Sequence, residues 1–142
     1  MAEVSFYILP SESIQERDQF ACKLIEKVYR SACFCYVLTD NAEQSQHFDT
    51  LLWTFRAGSF IPHQIYTGAR PLIDKVILIG SEQAPIEWQH TLINLSASYP
   101  DLEHNQRILE ILDNSEATKA LGRQRYRFYQ EAGINITTHK MG

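Results

Sequence analysis

The residues best suited to chemistry lie near the C-terminus. Between positions 119 and 140 the chain carries Lys119, Arg123, Arg125, Arg127 and Lys140 against a single acid, Glu131. The chain as a whole has a net charge of -4, so this local excess of cations points to a small anionic target. A long polyanion would need an extended basic track to displace its counterions. At 100° per residue Ala117, Leu121, Phe128 and Ala132 stack on one helix face, and Lys119, Arg123, Tyr126, Arg127 and Gln130 on the other. The first set reads as the core-facing stripe and the second as the solvent-facing one. An ordinary solvated face is the bland reading of the second set. Against it stands the missing anion partner: no acid lies between Lys119 and Gln130, whereas solubilising faces usually alternate charges at i,i+4. Arg125 projects near Leu121 and Phe128, so it must snorkel or pair with a buried carboxylate.

Other chemistries are poorly represented. The first apolar run ends in Pro10-Ser11-Glu12-Ser13, with no glycine and with an acid where a phosphate would sit. Neither G-x-x-x-x-G-K-[ST] nor G-x-G-x-x-G occurs, and there is no G-x-S-x-G nucleophile turn. His47, His63, His90, His104 and His139 form no H-E-x-x-H and no i,i+4 pair, which reads as surface or hydrogen-bonded histidines. Cys33 and Cys35 would share one side of a strand, with Cys22 far upstream; an odd set without a second pair is a weak metal signal and reads as small buried residues. No cofactor and no metal are expected.

The elements that must position these residues follow from periodicity. Val4–Leu9 is a short apolar run with strand composition. Ile14, Phe20, Ala21, Leu24, Ile25, Val28 and Ala32 then repeat at helical spacing, with Glu16, Arg17, Lys23, Glu26, Lys27 and Arg30 on the wet side. Phe34–Thr39 is a second strand, and Asp40 with Glu43 has the chemistry of a capping box for a second helix. That helix turns Phe48, Leu51, Leu52 and Phe55 inward and leaves Trp53 off the stripe; Ala57–His63 is a loop carrying Phe60. Further strands are expected at His63–Tyr66, Val76–Ile79, Thr91–Ser96 and Arg107–Leu112. Asp113 with Glu116, or Asn114 or Ser115 in competition, caps the last helix, which Gly133 ends. Near-continuous apolar strands alternating with helices imply an α/β fold: a three-layer, open, mostly parallel sheet with helices on both faces, Rossmann-like but without a nucleotide site. At 142 residues and 44% hydrophobic content, residues 1–142 are expected to form one domain that needs no disulfide or metal. No apolar run is long enough for a bilayer and the N-terminus lacks a signal-peptide pattern, so a cytoplasmic location is expected.

Three segments carry a family resemblance: Phe6-Tyr7-Ile8-Leu9; Leu51-Leu52-Trp53-Thr54 followed by Ser59-Phe60-Ile61-Pro62-His63; and Arg123-Gln124-Arg125-Tyr126-Arg127-Phe128-Tyr129 followed by Ala132-Gly133-Ile134-Asn135. With this order and spacing the chain resembles the chi subunit of bacterial DNA polymerase III. The match is strong over residues 1–63 and 115–137 and rests on the strand pattern over 64–114. The resemblance implies a non-catalytic accessory protein of the clamp-loader complex, with no sequence-specific nucleic-acid binding of its own. It places Lys119, Arg123 and Tyr126 at the site for the acidic C-terminal tail of single-stranded DNA-binding protein. It places Trp53 and Phe60 at the surface for the psi subunit, for which a helicase competes in the family. The residue types suit those roles. A tail ending in acids and a terminal Phe carboxylate needs a cation and an apolar ledge, and Arg123 supplies a planar charged fork between Lys119 and Tyr126, each one turn away. Two off-core aromatics close in sequence suit a hot spot, although a peripheral core tryptophan and a loop plug would have the same composition. The alternative of a different class is a small α/β enzyme or nucleotide- or metabolite-binding protein that uses an unfamiliar loop.

Overall fold

The computed structural model describes residues 2–56, 58 and 60–141. Ala57 and Ser59, part of the expected loop, lie outside the described residues, as do Met1 and Gly142. The elements run β1 (Glu3–Ile8), α1 (Ile14–Arg30), β2 (Cys35–Leu38), α2 (Ala42–Thr54), β3 (His63–Ile65), β4 (Ile77–Gly80), a 3-10 turn (Ile86–Gln89), β5 (Thr91–Asn94), β6 (Arg107–Leu112), α3 (Glu116–Glu131) and β7 (Asn135–Lys140). The strands form one sheet in the order β3-β4-β2-β5-β6-β1-β7, and every pairing in it is parallel.

Burial on both sides explains the composition of the strands. β4 and β5 are buried at every position, as expected where a parallel sheet is covered on two faces. One face packs against α1 and α2 through a cluster including Leu24, Ile25, Val28, Phe48, Leu52 and Ile93. The other packs against α3 and the 3-10 turn through Val4, Phe6, Ile108, Trp88 and Tyr129. Three layers with helices on both faces result, as the periodicity implied.

Local chemistry sets the helix ends. Ser13 caps α1, its hydroxyl accepting from the Glu16 amide at 3.2 Å. At α2 the cap is Asn41, one residue later than expected, with its side-chain oxygen accepting from the Gln44 amide at 2.9 Å. The Asp40 carboxylate accepts instead from the Ala97 amide at 2.8 Å, tying the β2 end to the β5 end. Ser115 wins the competition at α3. Three residues of the α1 pattern also move: Ile14 and Ala32, expected on the apolar face, are exposed, with Ala32 beyond the helix end, and Glu26, expected on the wet side, is buried and pairs with Arg56 at 2.9 Å beyond the end of α2. A tertiary cation makes that burial tolerable. Cys33 precedes β2, so it does not share a strand face with the buried Cys35. Burial pushes the Cys22 thiol up to about 12, with the nearby Asp18 adding to it.

The largest departure lies in α3. The side it buries carries Gly122, Arg125 and Tyr129, and Leu121, expected in the core, is 38% exposed; Ala117 and Ala132 are exposed as well. The stripe is rotated because a polar partner waits in the sheet. Glu110 on β6 accepts from the Tyr129 hydroxyl at 2.6 Å and from Asn94 at 3.0 Å, and Arg125, only 4% exposed, lies 3.5 Å from its other oxygen. Arg125 also donates to the Ser96 carbonyl. Burial raises the Glu110 carboxyl above its usual range, against the pull of Arg125 and the two hydrogen bonds. Arg125 thus takes the buried-pair option open to it.

Candidate functional site

α3 lies across the α3-facing side of β1 and leaves a groove of about 250 Å³ beside it. Phe6 and Ile8 of β1, Leu112 at the end of β6 and Thr138 of β7 form its sheet side; Lys119, Gly122, Arg123 and Tyr126 form its helix side. Gly122 makes this close approach possible. A Cβ there would sit 2.5 Å from Leu112 Cδ1, far inside van der Waals contact, so only glycine lets the helix rest at this height. Tyr126, 42% exposed, stands with its ring 5.8 Å from that of the buried Phe6. It forms an aromatic wall continuous with the core.

The electrostatics of the groove are set by three groups. Arg123 is exposed and forms no ion pair with a described residue. Lys119 lies 3.7 Å from Glu116, so the anion partner missing from the rest of the stripe exists one turn back, although Glu116 itself is largely solvated and such pairs contribute little. Asp113 lines the end of the groove. Burial disfavours its charged form, but hydrogen bonds from Ser115 and Thr118 outweigh that and hold its carboxyl below the usual range. The structure thereby brings Lys119, Arg123 and Tyr126 together on one wall. Arg127, on the same stripe of the helical wheel, does not line the groove.

The sheet side was not legible in the sequence. Phe6, Ile8 and Leu112 read there as residues of apolar strands, and the polar run over 135–140 carries no strand signal of its own. A glycine inside a strongly helical pattern was the one available signal, since it marks either a weak helix or a close approach.

A second surface occupies the opposite edge. Trp53 is 56% and Phe60 64% exposed, and their rings are 5.7 Å apart; neither belongs to the core. His63 braces the pair. Its ring lies 4.8 Å from that of Trp53, and its nitrogens meet the carbonyl oxygens of Ile61 at 2.6 Å and Asp49 at 2.9 Å. α2 and the segment after Phe60 are thereby joined through one buried side chain. A third groove, of about 240 Å³, opens near the ends of β2, β4 and β5, with Tyr36, Tyr99, Asp101 and His104 among its walls. Its polar groups bond within the protein: Tyr36 donates to the Glu82 carbonyl, Asn105 to the Asp101 carbonyl, and His104 pairs with Asp101. Among the described residues no three His, Cys, Asp or Glu side chains are grouped to hold a metal ion, and no helix is long and apolar enough to cross a membrane.

Comparison with known proteins identifies the family. The family described as DNA polymerase III chi subunit, HolC, matches residues 1–137. The DNA polymerase III subunit chi of Pseudomonas aeruginosa is 31% identical over 142 residues, covering 99% of this chain and 98% of the relative. Those of Haemophilus influenzae and Escherichia coli are 25% and 24% identical, covering 96% and 97% of each chain. Among solved structures, T4 UvsW matches with a TM-score of 0.67 at 10% identity, over 99% of this chain and 41% of that one. At that identity the likeness concerns the fold alone.

Proposed function

Since the chain belongs to the family of DNA polymerase III chi subunits, we propose that it is a non-catalytic accessory subunit linking single-stranded DNA-binding protein to the clamp loader during DNA replication. The α3 groove receives the acidic C-terminal tail of single-stranded DNA-binding protein. Trp53 and Phe60 receive the psi subunit, which connects the protein to the clamp loader, and a helicase competes for that second surface. The setting is the cytoplasm.

One observation carries the tail reading: a groove with an apolar floor and a cationic wall. Phe6, Ile8 and Leu112 offer a surface on which an aromatic side chain loses water, while Arg123 and Lys119 on the facing wall can take the main-chain carboxylate of the same terminal residue. Asp113 at the groove's end disfavours entry by a purely acidic segment without the ring. This combination selects a C-terminal residue that is both apolar and charged.

Calorimetric titration tests the reading with three peptides. An acidic peptide ending in Phe should bind; its C-terminal amide and a version ending in Ala should each bind at least about tenfold more weakly, since each removes one half of the recognition. Equal affinity for all three would mean that the groove reads only net negative charge.

A further inference from the structure

β7 is an edge strand with an open side. It pairs with β1 along its whole length and is the last strand of the sheet. The pattern of that pairing tells which backbone groups are left over. The Met141 amide donates to the Ile8 carbonyl at 2.8 Å, with Ile8 opposite Lys140 and Phe6 opposite Thr138. Bonding alternates along a parallel strand, so Thr137 and His139 also turn their N–H and C=O groups toward β1. Ile136, Thr138 and Lys140 turn theirs outward. These three also share a sheet face. Thr138 lines the α3 groove and Ile136 packs in the cluster under α3, which places Lys140 on the same face at the mouth of the groove, beside Ile8.

We propose that the acidic C-terminal peptide binds as an eighth strand on β7, its main chain bonded to Ile136, Thr138 and Lys140 and its terminal apolar residue turned into the α3 groove. This rests on the reading of the groove as a carboxy-terminal tail site and adds to it the path of the upstream residues. Three features favour that occupant. The open edge has no proline, and its sequence, Asn-Ile-Thr-Thr-His-Lys, carries no acid, so an acidic strand meets no like charge on it. It is continuous with the groove through Thr138. Lys140, beside Ile8, adds a third basic side chain to Lys119 and Arg123 of the groove, on the side from which an acidic chain would enter. Strand addition also explains how a peptide too polar for burial gains affinity, because main-chain bonds satisfy it without an apolar side chain at each position.

Thr138→Pro tests the proposal in the full chain. Its amide faces outward on an edge strand, a setting in which proline is accepted, and Thr137 before it is already extended, the backbone that proline favours in its predecessor. The variant should keep its circular dichroism and bind the acidic Phe-terminated peptide about tenfold more weakly, while Thr138→Val, which keeps the amide, should bind at least about threefold more tightly than the proline variant. Equal affinities in the two variants would overturn the proposal. Should the proline variant fail to fold, peptides N-methylated at alternate amides decide the matter with the native chain. One set should lose affinity and the other keep it; identical behaviour of both sets would sink strand addition. No binding of the unmethylated peptide to the native chain would refute the tail reading itself, whereas binding without sensitivity to proline or methylation would refute only the edge. Sedimentation of the free chain supplies a last check: a dimer that Thr138→Pro dissolves would assign the edge to a second copy.

Discussion

Arg123 is the side chain on which the proposed tail site depends most. It is exposed on the groove wall, forms no ion pair with a described residue, and offers two parallel donors to a carboxylate, which a lysine ammonium cannot match. Loss of a charge-assisted hydrogen bond costs about 1.5–3 kcal/mol, so Arg123→Ala should weaken the acidic peptide roughly ten- to a hundredfold. Arg127→Ala should cost much less, because Arg127 lies outside the groove and acts only through screened charge. Isothermal titration of both variants checks this. Small and equal losses would reduce the stripe to diffuse charge.

Among elements, α3 and the loop between β5 and β6 are the informative cases. In α3 the packing of Gly122 on Leu112 opposes helix propensity. Alanine is the better helix former by about 1 kcal/mol, but the added methyl would lie 2.5 Å from Leu112 Cδ1, and overpacking of this kind costs about 1–3 kcal/mol. Gly122→Ala should therefore lower the melting temperature despite the gain in propensity, and should weaken the tail peptide as the helix lifts from β6. A stabilised variant with native affinity would contradict this account of the groove. In the loop, Asp101 and His104 pair across one turn. A hydrogen bond from His104 holds the Asp101 carboxyl below its ordinary value of 3.8, and the same bond raises His104 above its ordinary 6.5. The signs oppose each other. The Asp101 contribution is present above the unfolded value and lost as pH falls through the lowered one; the His104 contribution is present below its unfolded value and lost as pH rises through the raised one. The pair should thus support the loop most between about pH 4 and 6.5. Urea midpoints of the native chain and His104→Ala should differ most inside that window, by a small amount because both groups are solvated. A difference that does not change with pH would rule the pair out as its source.

At the scale of the whole molecule, the two candidate surfaces sit at opposite edges of the sheet. Trp53 and Phe60 lie by β3 and the tail groove by β1 and β7, and six strand spacings of about 4.8 Å separate those edges by roughly 30 Å. The two patches therefore share no residue and can be tested independently. Trp53→Ala should remove psi binding, leave the tail affinity unchanged and leave the circular dichroism intact, since the ring is more than half exposed. Salt should separate the surfaces too. The Debye length falls from about 10 Å at 0.1 M to about 3 Å at 1 M, so rising chloride should release the acidic tail first, while the apolar surface holds or tightens. Simultaneous release of both across a chloride series would show that they are coupled or that both are electrostatic.

Residue patterns alone determined the class of this fold, and the resemblance of three segments pointed to its family. Apolar strands alternating with helical periods leave few arrangements other than a parallel sheet covered on both faces, and Lys119, Arg123, Tyr126, Trp53 and Phe60 were all visible as residues off the expected core. The tertiary structure decided the rest, because it depends on partners distant in sequence. Arg125 and Tyr129 turn inward only because Glu110 is there to receive them, which rotates α3 away from the stripe its apolar residues imply. β7 contains one aliphatic residue, Ile136, and exists as a strand because β1 supplies its hydrogen bonds, which local composition cannot reveal. The groove follows from both facts: its cationic wall is local to one helix, and its floor is assembled by pairings more than a hundred residues apart, between β1 at one end of the chain and β6 and β7 at the other.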